Sequence, residues 1–179
     1  MSSLKIVTLC TGNAARSVMA GAMLRHLSTE LDVPLEITTA GTLVVEGQPL
    51  SPRVRQALRS ISELDPSLTS EHRSHQLTED DCRSADLIIA MEASHVAYVR
   101  RRHGEASSRT ATLPLLASEL PPLALRSPEH LAALSLALRA PASEGEIKDP
   151  AGAEQPAYDE CAREIWNLCQ QLTGALSEV

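Results

Sequence analysis

Near its start the chain passes from an apolar run into a helical pattern through one polar loop, and this junction restricts what it can fold into. Leu4-Lys5-Ile6-Val7-Thr8-Leu9 reads as a short buried strand, Cys10-Thr11-Gly12-Asn13-Ala14-Ala15-Arg16-Ser17 as a tight loop, and Val18-Met19-Ala20 as the start of a helix. Beside this first β-like run at 5–9, three more stand at 35–40, 86–90 and 110–116, with helical patterns between them. That alternation is the signature of a parallel sheet with right-handed crossovers. The expected fold is α/β: a three-layer sandwich of a four-stranded parallel sheet flanked by helices, with the polar loop directly after the first strand.

The helices carry their own signals. Met19, Met23, Leu27 and Leu31 recur every four residues after the loop. Ser51-Pro52 is a cap followed by proline at the first helical position, and Val54, Ala57, Leu58 and Ile61 form the stripe behind it. Thr78 caps the acidic start Glu79-Asp80-Asp81, with Leu77 and Cys82 placed for a hydrophobic staple. Cys161, Ile165, Leu168, Cys169 and Leu172 give the last helix its apolar face. Ser127-Pro128-Glu129 starts a further expected helix reaching 138, followed by a flexible loop at 140–145.

A chain of 179 residues suits one domain with a real core, here 1–179. With no Phe, one Trp and two Tyr, that core must be built from Leu, Ala, Val and Ile. The formal net charge of −7 argues against a general nucleic-acid or membrane-surface binder. The local cluster Arg100-Arg101-Arg102-His103 reads as the solvated end of a helix. The apolar stretch at the start is too short for a signal peptide and no run reaches membrane-spanning length, so a cytoplasmic protein is expected. Its four cysteines, Cys10, Cys82, Cys161 and Cys169, are then expected to be reduced. Cys and His are scattered without paired ligand spacing, so no metal and no other cofactor is implied.

The loop after the first strand is suited to holding a tetrahedral oxyanion. Its backbone N–H groups can form a nest, and the helix start adds orphan N–H groups and a positive dipole end. Arg16 offers a planar fork to two oxygens of one anion. Cys10 lies beneath as a nucleophile, in a field that favours thiolate, and Ser17 can donate a hydrogen bond to its sulfur. Thr11, Gly12, Asn13, Ala14, Ala15 and Ser17 complete the expected anion-binding loop.

These residues resemble the low-molecular-weight protein tyrosine phosphatases and their arsenate reductase relatives. Thr39-Ala40-Gly41-Thr42, Gly47-Gln48-Pro49, Glu71-His72-Arg73-Ser74-His75-Gln76-Leu77, Ala85-Asp86-Leu87-Ile88-Ile89-Ala90-Met91-Glu92 and Asp149-Pro150 follow in the family's order. The resemblance weakens from 114 to 146, and a Leu/Ala/Pro-rich insertion is expected at about 117–145. It implies a phosphomonoester hydrolase acting through a phosphocysteine on Cys10, with Arg16 stabilising the transferring group and Asp149 as general acid. The rival Asp65-Pro66 pair sits in a polar turn where proline merely ends a helix. Asn13 and His72 are expected to support the loop; His75 replaces a frequent Arg, and Glu92 reads as an exposed carboxylate after the third strand.

Departures from the family pattern bear on the substrate. Ala151 replaces the usual aromatic after Asp-Pro, and Leu43-Val44-Val45 offers no ring, so a stacking wall worth about 1 kcal/mol per contact is missing. Ala15 stands where many members carry a second cysteine, which leaves Cys10 open to over-oxidation. Ala14 stands where protein-arginine phosphatases often have threonine. The expected partners are a phosphorylated protein, phosphotyrosine first, or a small phosphomonoester, with inorganic phosphate or a similar oxyanion in the loop. The alternatives are a thiol-dependent arsenate reductase and a catalytically weak phosphate-binding module.

Overall fold

The computed structural model describes residues 3–32, 34–120, 135–138 and 146–177. Strand β1 (Leu4–Cys10) feeds through the polar loop into α1 (Arg16–Glu30), and β2 (Leu35–Gly41) follows. Next come α2 (Pro52–Arg59), a 3₁₀ turn (Pro66–Thr69) and α3 (Glu79–Ser84). Then β3 (Leu87–Ala90) leads to α4 (Ala93–Arg102), a second 3₁₀ turn (Gly104–Arg109), β4 (Thr110–Thr112) and α5 (Leu113–Glu119). A short turn (Leu136–Leu138) precedes the final helix, here α6 (Gln155–Ser177).

The strands lie in the order β2-β1-β3-β4 and every pairing is parallel. Strand pleating sorts the apolar residues to two faces. Ile6, Leu87 and Ile89 enter one buried cluster with residues of α1, α2, α5 and α6, while Val7, Leu9 and Ile88 enter another with Cys82 of α3 and Val99 of α4. The result is the expected three-layer sandwich. β1 lies in the interior of the sheet between β2 and β3, so its C-terminal end is flanked by other strand ends, where ligands gather in open parallel sheets.

Three local expectations change. The fourth strand stops at Thr112, and Leu113 begins a helix with Pro114 in its first turn. Proline lacks an N–H for a ladder but suits the first turn of a helix, where the N–H would go unused. The single apolar stripe of α1 gives way to burial almost all round, with Val18, Met19, Ala20, Ala22, Met23 and Leu24 each at most 2% exposed. Leu31, expected on the buried face, is the C-cap and is exposed. Of the expected helix at 127–138, only 135–138 lies within the described residues, and Leu136–Leu138 is 3₁₀. The flexible loop at 140–145 lies outside them.

Other caps form as read. Ser51 Oγ accepts from Val54 N–H, and Thr78 and Asp81 make a reciprocal capping box. Leu77 and Cys82 meet in the same buried cluster, as the staple requires. Helix α6 packs on α1, where the one Trp, Trp166, tilts against His26 with ring centroids 5.8 Å apart.

Candidate active site

The loop at 10–17 is built around Asn13. Its backbone is left-handed, with φ of 49°, a conformation that Asn tolerates better than most residues. Every polar group of its side chain is used: Oδ1 accepts from His75 N–H at 2.8 Å, and Nδ2 donates to Ser17 Oγ at 2.9 Å. Its carbonyl accepts from Ser74 Oγ and His72 Nε2, both at 2.9 Å. His72 therefore carries its proton on Nε2. Burial lowers its pKa, partly offset by the bond to Asn13, and the charges of Arg25 and Arg73 push the same way as burial.

The end of β2 runs alongside this loop. Thr42 N–H and Leu43 N–H donate to the carbonyls of Cys10 and Thr11 at 3.0 and 2.9 Å. A Cβ on Gly41 would lie 2.5 Å from Thr11 O and 2.8 Å from Asn13 N, so only glycine permits this approach. Among the described residues, no backbone N–H from 11 to 15 donates to a protein acceptor, which leaves a row of donors available to an anion.

Cys10 is buried at the C-terminal end of β1, with Sγ 3.0 Å from Ser17 Oγ. Because Ser17 Oγ already accepts from Asn13 Nδ2, its own hydrogen is free to point at the sulfur. The backbone of Ser17 is fixed in turn by Thr8 Oγ1, which donates to its carbonyl at 2.8 Å.

Arg16 is 1% exposed, and a buried guanidinium requires partners. Nη1 donates to Glu92 Oε1 and, at 2.9 Å, to the Ile147 carbonyl; Nη2 donates to Asp149 Oδ2 at 2.7 Å. Glu92 is thus a partner of Arg16 and not a free surface carboxylate, a correction to the reading from sequence. Burial alone would push its pKa up, but the hydrogen bond and charge of Arg16, with a hydroxyl from Ser94, hold it below the usual carboxylate range. Asp149 reaches the site and Asp65 does not: Asp65 caps the 3₁₀ turn, accepting from Ser67 N–H at 2.8 Å.

His95 is the residue that sequence reading missed. It is 2% exposed, in the first turn of α4, and its Nε2 lies 2.9 Å from Thr11 Oγ1. Burial, with a smaller push from Arg16, takes its pKa down to about 4 against the opposing pull of Glu92, Asp149 and Glu146. The Glu92-x-x-His95 capping pair, directly after a strand that ends at the ligand edge, was the available signal. His75, whose role was open, uses its N–H on Asn13 and sets Nε2 2.8 Å from Asp81 Oδ2.

The other thiols are buried. Cys82 belongs to the cluster on the far face of the sheet from Cys10, and burial pushes it up to about 11. Cys161 is pushed up to about 12 and Cys169 higher, again by burial. Ala151 follows Asp149-Pro150 and donates its N–H to Asp149 Oδ1 at 3.0 Å. Leu43 and Val45, beside the loop, are 77% and 69% exposed. Among the described residues no group of three or more His, Cys, Asp or Glu could hold a metal ion, and no helix is long and apolar enough to cross a membrane.

A parallel α/β sheet with a buried thiol at the start of a loop of available backbone donors, and a buried arginine in that loop paired with an aspartate, matches a cysteine-dependent phosphatase class. Residues 5–119 match the family described as low molecular weight phosphotyrosine protein phosphatase, and the chain belongs to that family. It is 26% identical to a protein-arginine-phosphatase of Geobacillus stearothermophilus over 172 residues, 96% of this chain and 95% of the relative. With a low molecular weight phosphotyrosine protein phosphatase of Gallus gallus it shares 28% over 114 residues, 62% of this chain and 69% of the other. The fold is similar to that of a low molecular weight protein tyrosine phosphatase from T. tengcongensis, with a TM-score of 0.78 and 26% identity over 97% of this chain and 100% of that one.

Proposed function

We propose that the chain is a protein phosphatase that works through a phosphocysteine on Cys10, with Arg16 as the phosphoryl clamp and Asp149 as general acid. The observation that carries this is the Asn13–Ser17–Cys10 relay, which leaves the Ser17 hydroxyl hydrogen free for the sulfur beside a row of available backbone donors. In the first half-reaction the thiolate attacks phosphorus and the ester P–O bond breaks. The leaving oxygen takes its proton from the Asp149 carboxyl. A water then attacks phosphorus, Asp149 accepts its proton, the S–P bond breaks, and phosphate leaves with the thiolate restored. Arg16 and the amides of 11–17 stabilise the equatorial oxygens in both steps. Thr11, Gly12, Asn13, Ala14, Ala15 and Ser17 supply the loop, while Asn13, Ser17 and His72 also hold its shape. Mechanism and buried thiols both suit the reducing cytoplasm.

Phosphotyrosine on a protein is the first substrate reading, from the family to which the chain belongs. Phosphoarginine is the second, favoured by the near full-length similarity to a protein-arginine-phosphatase and by the surroundings of the loop, with exposed aliphatic Leu43 bonded to Thr11 and the carboxylates Glu92 and Asp149 on Arg16. These residues suit an aliphatic stem and a cationic leaving group, and none of them offers a ring for stacking. Arsenate reduction is the weakest reading, because Cys82 sits across the sheet from Cys10.

Hydrolysis of p-nitrophenyl phosphate, phosphotyrosine peptide and phosphoarginine peptide by reduced protein tests the proposal. Turnover of p-nitrophenyl phosphate that vanishes in Cys10→Ser is the expected result. The ratio of kcat/KM on the two peptides then ranks the substrates. Folded, reduced protein without turnover on any of the three overturns the phosphatase reading.

A further inference from the structure

His95 stands apart from the thiol relay and from the Arg16 clamp, yet it bonds to a neighbour of each: Thr11, next to Cys10 in the chain, and Glu92, which pairs with Arg16. Its Nδ1 receives the backbone N–H of Glu92 at 3.1 Å. A backbone N–H can only donate, so Nδ1 is an acceptor and carries no hydrogen. In the neutral ring the proton is then on Nε2, which lies 2.9 Å from Thr11 Oγ1. Thr11 Oγ1 is therefore the acceptor in that pair. Its own hydrogen must turn elsewhere, and among the described residues no protein group receives it. Thr11 is half-exposed at the start of the loop that holds the available row of N–H donors. The acceptor suited to that hydrogen is an anion oxygen in the loop.

We infer that His95 is a positioning residue whose fixed Nε2–H tautomer makes the Thr11 hydroxyl a donor to the bound phosphoryl group. The arrangement joins two parts of the pocket through one ring. Glu92 presents its backbone to Nδ1 and its side chain to Arg16, while Nε2 sets the hydroxyl next to the nucleophile. The charged groups that act on the ring are Glu92, Arg16, Asp149 and Glu146. A second hydrogen on the ring would face the Glu92 N–H, so protonation breaks the arrangement.

This inference rests on the oxyanion site of the proposed phosphatase, and its test uses two separate readouts. Inorganic phosphate binding is followed by titration calorimetry near neutral pH, and p-nitrophenyl phosphate turnover by steady-state kinetics, in wild type, Thr11→Val, His95→Leu, the double variant and His95→Gln. Thr11→Val and His95→Leu are each expected to weaken phosphate binding and lower kcat/KM about tenfold, the scale of one hydrogen bond to a charged group. The double variant should be no worse than the poorer single one, because both remove the same donor. His95→Gln, which can present an amide N–H to Thr11, should recover most of the loss, and a merely structural histidine would show no such coupling to Thr11. Additive losses, or phosphate binding unchanged in Thr11→Val, overturn the inference even where wild-type turnover upholds the phosphatase reading. Wild type that binds phosphate without turnover removes the phosphatase reading and leaves this one to be decided by the binding data. Wild type that binds no phosphate overturns both. Should His95→Leu fail to fold, Thr11→Val and His95→Gln carry the same decision, with His95→Gln close to wild type and Thr11→Val weakened.

Discussion

The two loops that meet at Arg16 are built in opposite ways. The loop at 10–17 has Asn13, Arg16 and Ser17 at no more than 1% exposure and is fastened from β1, β2 and the segment 72–75. The loop at 146–154 is fixed at its ends. Ile147 is buried and donates to Met91 O at 3.1 Å, and Arg53 of α2 reaches the Ala153 carbonyl and Glu154. Between these points Asp149 is 41% exposed, and Gly152 turns the chain at φ of 79°. The difference fits the tasks that the proposed function gives the two loops. On the proposed function, the loop at 10–17 would act by fixed dipoles that need no reorganisation, whereas Asp149, giving up and taking back protons, would have to meet both a leaving group and water.

That contrast can be broken on either side. Cys10→Ser should have the largest effect, with turnover reduced by at least about 10⁴-fold while phosphate still binds, measured by kinetics and calorimetry on the same sample. Gly41→Ala comes next. Its Cβ would strike the backbone of Thr11 and Asn13, and displacing the loop by a fraction of an ångström should lower kcat/KM by about 10²-fold with phosphate affinity falling as well. Asp149→Ala should slow p-nitrophenyl phosphate by about 10²-fold and poorer leaving groups more, with phosphate affinity almost unchanged. A binding defect as large as that of Gly41→Ala would erase the distinction between the loops.

A pH effect on stability sharpens the same comparison. His95 and His72, both beside the rigid loop, have pKa values lowered on folding, His95 to about 4. Between that value and the ordinary 6.5 the unfolded chain binds protons that the folded chain does not, so stability falls as pH drops through this window. At about 1.4 kcal/mol per pH unit, His95 accounts for a loss on the order of 3 kcal/mol by pH 4. Urea midpoints from pH 7 to pH 4.5 should fall more steeply in wild type than in His95→Gln; equal slopes would remove His95 as the cause. The smallest expected effect is that of Arg53→Ala, which frees one end of the loop at 146–154. An exposed pair of this kind is worth at most about 1 kcal/mol, so kcat should drop less than about fivefold with phosphate binding unaltered.

What the sequence made legible follows the same division. The rigid side announced itself, because Cys10, Asn13, Arg16 and Ser17 are neighbours in the chain and sit where a strand becomes a helix. The sheet was readable for the same reason, since its strands are short apolar runs bounded by helical patterns. Apart from Asp149, the partners of Arg16 and Thr11 were not. Glu92, His95 and Ile147 lie 76 to 131 residues from the groups they hold; Glu92 and His95 arrive because β3 lies beside β1, and Ile147 because its N–H donates to Met91 O. A carboxylate at a strand end reads as solvated until the buried cation opposite it is known. The fourth strand was overrun at Leu113 because an apolar run has the same look in a strand and in a buried helix, and Pro114 alone separated the two.

The scarcity of aromatic residues has an optical consequence. Trp166 is the one indole in the chain, set in the seam between α6 and α1 against His26. Intrinsic emission excited at the red edge therefore reports a single contact, the docking of the last helix on the helix that begins with Arg16. A change in that signal on adding phosphate would show strain passing along α1 from the loop at 10–17. A silent signal would confine the response to the mouth of the site and leave the same indole as a clean gauge of unfolding.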